Sequence, residues 1–408
     1  MGSRVHTLLL GHEDLIEQEL REVAFEVRAG DESVEVRLDY DRDRATIDLG
    51  LDGPKGWRGW SGGARESFVI RPREATPGYV PGELEPGKWH VQLGLYRMPV
   101  TPLPVRVTIL IPAESVVPPE AVTAPTTGPR ASARTLPAED GLTWFAGDFH
   151  AHSTHSDGEK SLSELAALAT GNGLDFLAVT EHNTVSHHPL LPAVGAAHNI
   201  TLLPGQEVTT PRGHANALGD IGWIDFRNPA DQWVADTEAR GGVLSVNHPL
   251  QDDLAWQHPL TRLPRALELW HVTWFLTLSD TAPWAFLRRW DSGVALLGGS
   301  DYHNPSHGYP PGTPVTWVAA ADRSPEAILA AVQAGRTAIT KFPSPESPAL
   351  VRLGDDLVTR AADGAVLCDF DGRRRVLHGD NHVIAAADAG TGPFRLETPA
   401  GELLAISP

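Results

Sequence analysis

The chain has 408 residues, with 33 Lys and Arg against 52 Asp and Glu and a formal net charge of −19. Hydrophobic residues make up 41% and charged residues 21%, enough apolar material for packed cores, yet no uncharged apolar run nears the roughly 18 to 20 residues that span a bilayer. An integral membrane protein is therefore not expected, and the acidic balance would repel a nucleic-acid backbone, with no Lys/Arg cluster to reverse the field.

The N-terminus offers only a short apolar stretch at 7–10, followed at once by acidic residues. No signal-peptide core is read there, and a cytoplasmic location is expected. Cys368 is the one cysteine, so there is no internal disulfide and no C-x-x-C metal or redox pair. A bound metal would have to rest on His, Asp and Glu.

Between 21 and 111 the pattern is short and alternating, with apolar period-two runs at 23–27, 34–38, 45–49, 67–70, 89–93 and 105–110. These predict an all-β sandwich over residues 1–112. Residues 113–141 are rich in Pro, Ala, Thr and Ser and read as a linker. From 142 to 345 strand-like segments at 143–146, 176–179, 200–203, 243–246, 266–269, 294–297 and 315–319 alternate with helical ones. Ser161, Glu164 and Gly171 bracket one helix, and Ser324, Pro325 and Gly335 another. Such alternation predicts parallel strands with crossover helices, as an open sheet or a (β/α) barrel. Residues 346–408 return to β-like alternation and are expected to form a small accessory element.

The chemistry lies in where His and carboxylates fall. His150 and His152 follow the first strand of the α/β region, and in extended backbone residues i and i+2 share a face, so the two can meet one ion while the turn returns Asp157. His182 ends the second strand, Glu207 follows the third, His214 and His248 come next, and Asp301-x-His303 closes a later strand. Ligand sites in parallel sheets are built at the C-terminal strand ends, so nine potential ligands so placed point to a metal centre. His155, His187, His188, His198, His258 and His307 lie in loops without that context and read as solvated or supporting. His271 and Trp270 are candidates to line the pocket, and Arg212 and Lys341 to contact an anion. The spacing Gly82…Gly87-Lys88 matches a phosphate loop, but Trp89 stands where a Ser or Thr would hold Mg²⁺, so no nucleotide site is read there.

The ligand series from His150 to His303 resembles the polymerase and histidinol phosphatase (PHP) superfamily. Glu181-His182-Asn183-Thr184, Gly213-His214-x-Asn216, Gly299-Ser-Asp-Tyr-His303 and the upstream Ala75-Thr-Pro-Gly-Tyr79 resemble, more closely, the CehA/McbA-like metallohydrolases. The resemblance implies a distorted (β/α)7 TIM-like barrel behind the sandwich and two or three divalent ions, Zn, Mn or Fe. One ion would take His150, His152, Glu207 and Asp301; a second would share Glu207 and add His214 and His248; a third would use Asp157, His182 and His303. At Asp157 the chain departs from many relatives, which carry a His there.

The expectation is a hydrolase using a metal-bridging hydroxide, with Glu207, Asp301, His303 and Arg212 at the reacting centre. A small phosphomonoester or phosphodiester leads as substrate, because bound ions would leave the pocket net positive. A carbamate, ester or amide hydrolase is the alternative, with Trp223, Trp256, Trp270, Trp274 or Trp284 as a wall for an apolar group, and a noncatalytic metal-dependent binding protein is a third. Partners are expected to be small, anionic substrates rather than nucleic acid or membrane, and a homo-oligomer is compatible with the sequence.

Overall fold

The computed structural model describes residues 2–274, 282–290 and 293–408. The chain divides into two compact units. The first joins Met1–Ala121 to two later segments, Ser153–Ser161 and Glu181–Pro189; the second comprises Val122–His152, Leu162–Thr180 and Leu190–Pro408.

The first unit is built from β1 (Gly2–Leu10), β2 (Leu20–Val27), β3 (Val34–Asp39), β4 (Thr46–Gly53), β5 (Gly56–Trp60), β6 (Ser67–Ile70), β7 (Gly87–Arg97) and β8 (Leu103–Ile111). They form two four-stranded sheets, ordered β1-β8-β3-β6 and β2-β7-β4-β5, with antiparallel pairing. Alternation places one side of each strand inward: Val23, Phe25 and Val27 of β2 and Val105 and Val107 of β8 are buried and alternate with exposed or half-buried neighbours, and Ile109 continues the buried row. These residues join Trp89, Val91 and Leu93 in one core shared by both sheets, the arrangement of a sandwich.

The second unit carries β9 (Thr143–Asp148), β10 (Phe176–His182, whose last two residues belong to the first unit), β11 (Thr201–Thr210), β12 (Gly213–Leu218), β13 (Val243–Val246), β14 (Ala266–His271), β15 (Ala295–Gly299), β16 (Val315–Ala320) and β17 (Thr337–Thr340). The C-terminal strands are β18 (Ala349–Leu353), β19 (Asp356–Arg360), β20 (Val366–Cys368), β21 (Arg374–Val376), β22 (His382–Ala385), β23 (Phe394–Glu397) and β24 (Leu403–Ser407). Thirteen strands make one sheet, ordered β15-β14-β13-β12-β11-β10-β9-β16-β17-β24-β23-β20-β21, and β18-β19-β22 form a separate small sheet. Helices Leu162–Gly171, Leu191–His198, Ala230–Ala239 and Pro325–Gln333 connect the strands. The last of these is capped by Ser324, whose hydroxyl accepts from the Ala327 amide at 3.3 Å.

Two features depart from the expected parallel barrel. The pairs β9–β10 and β13–β14–β15 are parallel, but β11–β12–β13 and β9–β16–β17 run antiparallel. Only Pro211 and Arg212 separate β11 from β12, and so short a connection can reach only an antiparallel neighbour. No ladder closes the ring among the described residues: β15 ends the sheet on one side, while β24 takes the outer edge of β17 through Ile339–Ile406 and Thr340–Ala405. Among the described residues no helix is long and apolar enough to cross a membrane.

Candidate metal centre

Strand ends and one hairpin position the histidines. His150 and His152 follow β9, His248 follows β13, and Asp301 and His303 follow β15. Glu207 and His214 do not follow strands, as the sequence suggested, but lie inside the β11–β12 hairpin. The register pairs Glu207 with Asn216 and Thr209 with His214, so Glu207 and His214 are diagonal neighbours on one face. His248 and Asp301 adopt positive φ, 24° and 47°, a conformation that non-glycine residues hold at a cost and that clusters where function demands it.

In the second unit these side chains converge. His150 Nε2 lies 3.1 Å from Glu207 Oε1 and 3.1 Å from Asp301 Oδ1. His152 Nε2 lies 3.0 Å from Asp301 Oδ1 and 3.5 Å from Glu207 Oε2. The same Glu207 Oε1 is 3.1 Å from His214 Nδ1 and 3.4 Å from His248 Nε2, and it accepts from Asn247 Nδ2 at 2.9 Å. Donor atoms around a first-row ion at about 2.1 Å stand about 3.0 to 3.4 Å apart in octahedral or tetrahedral geometry, so the spacing fits ligands arranged about common ions. His150, His152 and Glu207 make one such group.

Tautomers separate ligands from donors. His150 Nδ1 faces Glu268 Oε1 at 3.2 Å; a carboxylate accepts, so Nδ1 carries the proton and Nε2 presents its lone pair to the cluster. Among the described residues Nε2 makes no hydrogen bond despite its two near oxygens, as a metal ligand would. Glu268 Oε2 also accepts from the His248 amide at 2.8 Å, and Gly299 leaves it room: a Cβ there would stand 2.0 Å from Glu268 Oε1 and 2.7 Å from His150 Cβ. His271 has the opposite tautomer. Its Nδ1 accepts from the Thr273 amide at 3.2 Å, which leaves the proton on Nε2, 3.4 Å from Asp301 Oδ2.

Electrostatics follow from burial against proximity. Burial pulls the His150 pKa down, but the charges of Asp301, Glu207 and Glu268 outweigh it and hold the imidazole well above its ordinary value. Burial raises the carboxyl of Asp301, yet His150, His303 and the bonds from His152 and His271 hold it well below the carboxylate range. Asp148, pushed up to about 6 by burial, accepts from the backbone of His150 at 3.0 Å, Ser300 at 3.1 Å and Gly312 at 2.7 Å. It ties the segments carrying His150 and Asp301 through their backbone rather than through an imidazole ring.

Asp157 and His182 belong to the first unit, where Asp157 Oδ1 and His182 Nε2 are 3.4 Å apart. Asp48 of β4 shares their surroundings: burial pushes its carboxyl up to about 7, with the His182 charge drawing it down and Asp157 raising it. His303 lies in the second unit, its Nδ1 on the Asp301 carbonyl at 2.8 Å.

The candidate anion contacts are otherwise engaged. Arg212 is exposed and donates to the Gln257 carbonyl at 3.3 Å, and Lys341 is paired with Glu402. His155, His187 and His198 are buried rather than solvated, and Trp270 is core. Glu268 escaped the sequence reading, although a lone acid inside the run Ala-Leu-Glu-Leu-Trp on a buried strand is a signal, since buried charge needs a partner.

No protein-family model matches the chain, and no curated protein does. Among solved structures it resembles a two-domain protein from Bacteroides vulgatus containing a predicted PHP-like metal-dependent phosphoesterase. Identity is 17% and the TM-score 0.41, over 71% of this chain and 91% of the other. It also resembles a proposed metal-dependent phosphoesterase from Bifidobacterium adolescentis, at 16% identity and a TM-score of 0.32, over 40% of this chain and 89% of the other. Likenesses this distant assign no activity, which the side-chain geometry has to carry.

Proposed function

We propose that the chain is a divalent-metal-dependent hydrolase whose substrate is a small phosphomonoester or phosphodiester. The observation that carries the reading is Glu207, a buried carboxylate with four imidazole nitrogens at 3.1 to 3.5 Å. That is a donor set for two ions sharing one carboxylate. His150, His152, Glu207 and Asp301 would hold the first ion, Glu207, His214 and His248 the second, and Asp157 with His182 a further one; imidazole and carboxylate suit Zn, Mn or Fe. Bound ions acidify water and polarise a phosphoryl oxygen.

The chain's own residues supply the remainder. Glu268 keeps the His150 lone pair turned to the cluster, and Asp148 holds the backbone on which His150 sits. His271 offers an Nε2–H beside Asp301, where it can donate to a substrate oxygen. Glu207, Asp301 and the Glu268 beside His150 bring three negative charges against four from two divalent ions, so an anionic substrate is favoured. Trp274, whose ring centroid is 5.4 Å from that of His271, supports a second reading in which an apolar carbamate, ester or amide is hydrolysed.

The test is turnover of p-nitrophenyl phosphate, bis-p-nitrophenyl phosphate and a naphthyl carbamate by chelated and metal-reloaded protein. Metal-dependent phosphoester turnover is expected. Carbamate turnover alone would favour the second reading, and metal binding with no turnover of any kind would favour a binding protein.

A further inference from the structure

The stretch Ala75-Thr-Pro-Gly-Tyr79 has no part in the chemistry proposed above, yet one of its residues touches both segments that carry Asp157 and His182. Gly78 has φ +100°, and a Cβ there would lie 2.7 Å from the Trp60 carbonyl oxygen and 2.8 Å from that of His155, so the approach requires glycine. Its amide donates to Ser186 Oγ at 3.2 Å and His155 Nδ1 at 3.4 Å, and its carbonyl accepts from Thr184 Oγ1 at 2.7 Å. Tyr79 anchors the turn to the sandwich, donating to the Leu49 carbonyl at 2.7 Å and stacking on Phe68 with centroids 3.9 Å apart.

Three more contacts run the same way within the first unit. The Arg65 guanidinium donates to the carbonyls of Thr154 and, at 3.1 Å, Ser156. Trp57 Nε1 donates to the carbonyl of Asn183, next to His182, at 2.9 Å. Glu120 accepts from Thr154 Oγ1 at 3.0 Å and lies 3.4 Å from His155 Nε2. The two segments are also tied to each other, since buried Glu181 accepts from the Ser153 amide at 3.0 Å and from the hydroxyls of Ser153 and Ser156.

We propose that the sandwich is a positioning element for one cation pair in its own unit: the Gly78 turn and Arg65 hold residues 153–161 and 181–189 so that Asp157 and His182 form a preorganised ligand pair for a divalent cation. This rests on the reading of Asp157 and His182 as ligands. Segments already fixed in the binding geometry lose less freedom when the ion arrives, which strengthens binding at that pair and nowhere else.

The test is Mn²⁺ binding to the full chain, by elemental analysis and chelator competition, in Arg65→Met, Thr184→Val and Asp157→Ala. Asp157→Ala is expected to lose one binding step. Arg65→Met and Thr184→Val are expected to weaken that same step about tenfold or more with the other steps unchanged, and Thr184→Ser to restore it. If Asp157→Ala loses the step while Arg65→Met and Thr184→Val bind as the native chain does, or weaken all steps equally, the positioning role is overturned and the ligand reading stands. If Asp157→Ala binds as the native chain does, the ligand reading fails and the inference with it. Should Arg65→Met fail to fold by circular dichroism, Thr184→Val, an isosteric change at one hydroxyl, decides alone.

Discussion

At the scale of single residues, the proposed centre rests on Glu207 and Glu268. Glu207 faces His150, His152, His214 and His248, whereas Asp157 faces His182. Glu207→Gln should therefore abolish activity more completely than Asp157→Ala, and equal losses in kcat/KM from the two would contradict a shared carboxylate. Glu268 acts through His150, so Glu268→Gln should weaken metal affinity roughly tenfold to a hundredfold, read by chelator competition; native affinity would show that the His150 tautomer does not matter. The spacing of His150 and His152 was legible in the sequence because an i, i+2 pair in extended backbone shares a face whatever the fold around it. The tautomers of His150 and His271 were not, because each depends on a partner fixed by tertiary structure or by a local turn.

At the scale of elements, the alternating strands of residues 1–112 were readable because one buried face imposes a period of two, as β2 and β8 show. The two-residue hairpin between β11 and β12 was hidden by a different signal: its residues are buried on both faces, from Gly213 to Leu218, so no alternation marks it as antiparallel. In β3, Glu35 ties the sheet to the chain that leaves it. It accepts from the amides of Glu114 and Ser115 at 2.8 Å and from Arg37 Nε at 2.6 Å. Burial alone would raise its pKa, but these bonds hold it down at about 2, against an ordinary 4.5. The carboxylate thus stabilises the fold above pH 4.5, and that contribution is lost as pH falls from 4.5 through 2. At roughly 1.4 kcal/mol per pH unit it is worth about 3 to 4 kcal/mol. Denaturant unfolding of Glu35→Gln should show a loss of that order at pH 7 and almost none near pH 2; a difference independent of pH would contradict it.

At the scale of the whole molecule, the charged cluster links metal, protons and stability. Three carboxylates raise the His150 pKa well above its ordinary value, and an ion needs that imidazole neutral, so metal binding should release protons and weaken as pH falls. Calorimetric titrations in buffers of different ionisation enthalpy should show the release; identical heats would exclude it. Because an ion binds the folded site and not the unfolded chain, chelation should also lower the melting temperature, and added metal should restore it in proportion to the logarithm of its concentration. The central claim is that Glu207 is shared by two ions, and its most direct test is metal stoichiometry by elemental analysis of the native chain and of Glu207→Gln after identical Mn²⁺ loading and desalting. The account predicts at least two equivalents in the native chain and a loss of more than one in the variant; a native chain that keeps one equivalent or none would contradict it.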